Sequence, residues 1–183
     1  MSEHKPSPTT ARRRIRGPML AGLAAVAVVA VVAIVVGLWA FQPWKLFTSS
    51  TVSEAAPTPA ASATAVPGAE PSVLAEGSFV SQEHETSGVA KVIALTDGSR
   101  VLRLEGLATS DGPDVHVWLT DREAGGADGT YDDGRYVELG KLKATHGDQN
   151  YAVPAGAELA GLRSVVIWCD RFNVAFGSAP LRL

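Results

Sequence analysis

Met19 to Phe41 is a run of 23 residues without a single charge. As a helix rising about 1.5 Å per residue it would extend about 35 Å, against a hydrocarbon core of about 30 Å. In lipid a lone segment must satisfy its own backbone hydrogen bonds, and helix is the only way to do so. Lys5, Arg12, Arg13, Arg14 and Arg16 precede the run, whereas only Lys45 follows it closely. The positive-inside rule therefore predicts a cytoplasmic N-terminus and an exterior C-terminal part, with Trp39, Phe41 and Trp44 at the outer interface. A cleaved signal peptide would have an apolar core of about 7–15 residues followed by small ones. Trp39-Ala40-Phe41-Gln42 puts bulk where cleavage wants small side chains, and no Cys follows to carry a lipid.

The rest of the chain divides by composition. The expected organisation is a basic cytoplasmic tail over 1–17, a transmembrane anchor over 18–44, a linker over 45–76 and an extracytoplasmic β domain over 77–183. The linker is rich in Ala, Pro, Ser and Thr, with Pro57, Pro59, Pro67 and Pro71. It shows neither a helical nor a strand period and has too little apolar surface to offset ordering entropy. It therefore reads as a disordered stalk reaching about 30 Å as a coil or about 90 Å if extended. Residues 77–183 carry 10 Lys and Arg against 15 Asp and Glu. An acidic exterior domain excludes nucleic acid as a partner, since phosphate binding needs a basic footprint.

Strand signals dominate after Gly77. Val89–Leu95 and Val101–Leu107 flank Thr96-Asp97-Gly98-Ser99, a hairpin signal. Further short apolar runs cover 115–119, 136–139, 150–153, 164–169 and 173–176, punctuated by Gly, Pro, Asp and Asn. The expectation is an all-β antiparallel sandwich or barrel-like domain, preceded by one transmembrane helix and the stalk. Residues 124–134 are small and polar and read as an exposed loop.

Cys169 is the only cysteine. It ends Val165-Val166-Ile167-Trp168, which looks like a core strand, so one reading is simple packing. The others are a redox thiol, a metal or haem ligand, or an intermolecular bridge. A metal site would have to assemble from His84, His116, His146 and Cys169 across strands, with His116 the nearest expected partner of the thiol. No His or Met follows Cys169, against the usual blue-copper order, and no C-x-x-C-H or Cys cluster serves covalent haem or iron–sulfur. Hydrolase motifs are missing too. Asp114 and His116 share a strand face, but such a pair alone does not make a triad.

Several segments carry a resemblance. They are Gly77-Ser78-Phe79 with His84 and Gly88; Gly112-Pro113-Asp114-Val115-His116-Val117-Trp118-Leu119; Leu139–Lys143 with Gly147–Pro154; and Val165–Cys169 with Phe172, Val174, Phe176, Gly177 and Ala179. Together they resemble the DM-thirteen domain family, an electron-transfer domain. The resemblance implies a β-sandwich-like extracellular domain whose cysteine, matched by Cys169, acts in redox chemistry as a bare thiol or through a prosthetic group. Either no cofactor or a metal or haem group near Cys169 is then expected. The expected partners are the lipid bilayer and an extracytoplasmic redox partner or cell-envelope component. A binding or adhesion module displayed on a stalk is the competing function, and neither reading makes the chain a conventional enzyme.

Overall fold

The computed structural model describes residues 16–59 and 70–183. The expected tail up to residue 15 and the linker centre over 60–69 lie outside them. The chain forms two compact units, 1–41 and 42–183. In the first, α1 (Arg16–Phe41) is a helix of 26 residues. The stretch Gly22–Lys45, with mean hydropathy 2.8, is long and apolar enough to cross a membrane.

The second unit is mostly β, as the alternating runs predict. It opens with a short 3-10 turn (Pro43–Phe47) and β1 (Thr51–Ser53), then β2 (Ser72–Ser78), β3 (Val80–Ser81), β4 (Ser87–Ala94) and β5 (Arg100–Ala108). β6 (Val115–Thr120), β7 (Tyr136–Lys141), β8 (His146–Val153), β9 (Ser164–Cys169) and β10 (Val174–Pro180) complete it. One sheet runs β1-β8-β5-β4-β2 and the other β3-β10-β9-β6-β7. Every pairing is antiparallel except β1 with β8. Between the sheets pack the inward residues of both, among them Val92, Leu102, Leu104, Val117, Leu119, Val165, Ile167 and Phe176. A smaller cluster of Trp118, Tyr131, Val166, Trp168 and Ala175 lies on the other face of the second sheet.

The predicted β4–β5 hairpin forms around Asp97-Gly98. Gly98 takes the positive φ (81°) that the turn demands, and the Asp97 carboxylate accepts the Ser99 N–H at 2.9 Å. Residues 124–134 form the expected loop, exposed over 125–128, but Tyr131 within it is wholly buried. Its hydroxyl donates to Gln82 Oε1 (3.0 Å) and lies 3.0 Å from Ser178 Oγ, pinning the loop to the sheet.

The expected stalk also differs where it is described. Thr51–Ser53 pair in parallel with His146–Asp148, and β2 begins at Ser72, ahead of the expected domain start. Long-range polar contacts supply what the local composition lacks. Thr145 Oγ1 donates to the Ser50 carbonyl (3.0 Å), while Lys143 Nζ (2.7 Å) and the Asn150 N–H (2.6 Å) donate to the Glu54 carboxylate. Buried Arg103 donates from Nη1 to the carbonyls of Glu54 and Ala55, both at 3.1 Å, and to Asn150 Oδ1. Gly147 makes room for this strap. Its φ is +100°, and a Cβ there would collide with the Val52 carbonyl.

Candidate functional site

Cys169 closes β9 at the tip of the β9–β10 hairpin. The turn Asp170–Asn173 links it to Val174, its cross-strand neighbour, and Asn173 adopts the left-handed φ of 55° that Asn tolerates better than most residues. The Phe172 N–H donates to the Cys169 carbonyl (3.3 Å), and the Asp170 N–H donates to the Asp114 carbonyl (2.9 Å). The side chain is fully buried in the inter-sheet core. Burial pushes the thiol above its ordinary range. Against that, the neighbouring backbone amides of Phe172, Asp114 and Arg171 favour the thiolate, while the Asp114 charge opposes it. Burial wins, so at neutral pH this is a protonated thiol.

His116, the expected partner, is not on the same face. Val115 sits opposite Cys169 and His116 opposite Trp168. Strand alternation therefore turns the imidazole away from the core and the thiol into it. On the outer face its Nδ1 lies 2.7 Å from Glu138 Oε1 and its Nε2 3.0 Å from Asp114 Oδ1, while Lys141 Nζ donates to Asp114 at 2.9 Å. The Lys141 hydrogen bond, with help from His116, holds the Asp114 carboxyl below its usual value. His84 leans on the Phe176 ring at 4.0 Å, and His146 Nδ1 lies 2.8 Å from Thr145 Oγ1. The three histidines and Cys169 thus have separate surroundings. Among the described residues no group of three or more His, Cys, Asp or Glu is placed to hold a metal ion.

Beside Asp114 a cavity of about 230 Å³ is lined by Lys45, Asp111, Asp114, Lys141, Lys143 and Thr145, among others. Its charges are already matched: Lys45 with Asp111 (3.2 Å), Lys141 with Asp114 (2.9 Å) and Lys143 with Glu54 (2.7 Å). Cys169 does not line it, nor the cavities of about 460 and 250 Å³ elsewhere. Among the described residues His84, His116 and His146 all lie with other partners and none stands at the fully buried sulfur, so a metal or haem held by Cys169 does not fit them.

Sequence reasoning missed an aromatic group on the outer face of the second sheet. Tyr136 stacks on Trp118 (centroids 4.3 Å apart, planes at 12°), and Trp118 lies 5.2 Å from Trp168. The available signal was the alternation of β6 and β9, which sets Trp118 and Trp168 on one face once their register is known.

A two-sheet β-sandwich domain that follows an apolar helix is thus the class of protein the fold defines. The family model described as Electron transfer DM13 matches residues 78–181, more than half of the chain, and the chain belongs to that family. Membership implies a function related to electron transfer. No curated protein and no solved structure matches the chain.

Proposed function

We propose that this protein is a membrane-anchored redox domain. In this reading α1 spans the bilayer with its N-terminus in the cytoplasm, the sandwich stands on the extracytoplasmic side, and Cys169 is the redox-active group. The helix and the arginines before it support the anchor. One observation carries the role of Cys169: it is the chain's single cysteine, placed at the end of β9 beside an exposed turn and inside the stretch the family model matches. In the closed hairpin the thiol is protonated and sheltered. Opening of the exposed Asp170–Phe172 turn would remove the burial that raises its pKa.

The test pairs alkylation with electron exchange. Labelling of the folded chain should be slow and limited by hairpin opening, and Cys169→Ser should lose exchange with a mediator dye. Undiminished exchange in Cys169→Ser would defeat the thiol's role.

The burial of Cys169 equally supports a second reading, a binding module displayed at the cell surface. Its exposed stretch 125–128, held out by the buried Tyr131, would be the contact. Loss of surface binding on deleting 125–128, with Cys169→Ser unaffected, would favour that reading.

A further inference from the structure

The aromatic group on the outer face of the second sheet has a property that packing alone does not call for. Trp118 and Trp168 are 4% and 0% exposed, and the indole N–H of each is buried without a hydrogen-bond partner among the described residues. An unmet buried donor is costly, and an apolar ring would fill the core without that cost. The same two indoles form the inner part of a continuous stack. Tyr136, 43% exposed, covers Trp118, and Trp118 adjoins Trp168.

We propose that Tyr136, Trp118 and Trp168 form a one-electron conduit from the sheet to the surface, ending at Tyr136, where a metal-centred one-electron oxidant takes the electron. It rests on the electron-transfer reading of the domain but not on Cys169, whose sulfur points to the opposite face of β9. In the step, one electron passes from Trp168 through Trp118 and Tyr136 to the oxidant. The oxidant is reduced by one electron and Trp168 becomes a radical cation; no bond is made or broken. The missing N–H partner has a purpose here. With no acceptor facing Nε1 the radical cation keeps its proton, so the charge stays mobile and the electron can return. Tyr131, 6.3 Å from Trp168, is a poor terminus: its hydroxyl meets only the neutral groups of Gln82, Ser178, Glu123 and Gly126, so no base takes its proton.

The experiment uses the full chain in detergent, with Trp39→Phe and Trp44→Phe removing the other two tryptophans. Tris(bipyridine)ruthenium(III) is generated by a laser flash, and tryptophan and tyrosine radicals are followed by transient absorption. The expected result is a tryptophan radical that in Trp168→Phe stops at Trp118 and is shorter-lived, and that Trp118→Phe loses, unchanged thermal unfolding showing the fold intact. An unchanged Trp168 radical in Trp118→Phe, or none in the starting chain, overturns the conduit. Exchange with a mediator dye is measured alongside. A chain that exchanges with the dye while Trp168 stays dark sinks the conduit alone. One that carries the flash-generated charge yet never exchanges with the dye sinks the electron-transfer reading instead.

Discussion

Cys169 separates two roles that burial alone confuses. If its sulfur matters as an acceptor for the amides of Asp114, Arg171 and Phe172, serine keeps that function and alanine does not. Cys169→Ser should then stay within about 1 kcal/mol of the parent stability, while Cys169→Ala should lose about 2 kcal/mol from the vacated volume and the lost acceptor. Urea unfolding measures both, and equal losses would mean that the amides are indifferent to the sulfur. Burial of Cys169 was legible in the run Val165–Trp168. Its separation from His116 was not, because it depends on the pairing of Val115 with Cys169, and register is a tertiary property. Gly147 is the other residue whose role is narrow. Gly147→Ala would strain a φ of +100° and put a methyl group against the Val52 carbonyl. The expected result is loss of amide-exchange protection over 51–54 with the β4–β5 hairpin unchanged.

At the scale of elements, the strap around β1 shows what composition hides. Three paired residues in an Ala-, Pro-, Ser- and Thr-rich stretch carry no period, and what orders them lies far along the chain at Arg103, Lys143, Thr145 and Asn150. The β4–β5 hairpin, by contrast, was legible because turn chemistry and alternation sit side by side in the sequence. Arg103 bridges the strap to Glu105 (2.8 Å) and Asp148 (3.1 Å). Arg103→Ala should release the strap and cost about 2 kcal/mol, below the value for a wholly buried pair because both carboxylates keep some solvent. The carboxylates also set a pH limit. Glu54 is held low chiefly by Lys143, Glu105 by Lys91 and then Arg103, and Asp114 by Lys141. Folded values below the unfolded ones give stability that is present above the ordinary carboxylate range and lost as pH falls through the depressed values. Acid unfolding should therefore begin below about pH 4. Glu54→Gln, which removes one of these linked groups, should flatten the loss; an unchanged acid limb on circular dichroism would refute the strap's part in it.

For the whole molecule, the first unit decides where the second can work. A helix apolar on every side has no face to give to water; Val26, Val29 and Ile34 are each about 60–70% exposed on α1. Exposing such side chains forfeits about 1.5–3 kcal/mol apiece compared with burial, and the helix is long and apolar enough to cross a membrane. The sandwich adds a convenient reporter, because its single thiol is buried and the background is silent once Cys169→Ala is made. Two sites then test topology in that background: Ser2→Cys before the helix, and Gly156→Cys, where nothing lies within 4 Å of the added Cβ. On intact cells a membrane-impermeant maleimide should label Gly156→Cys and spare Ser2→Cys until the membrane is opened. The opposite pattern would put the sandwich inside, facing cytosolic reductants, and end the extracytoplasmic reading. Recovery of labelled protein in the medium without its first 41 residues would make α1 a cleaved leader and leave the redox chemistry without its tether.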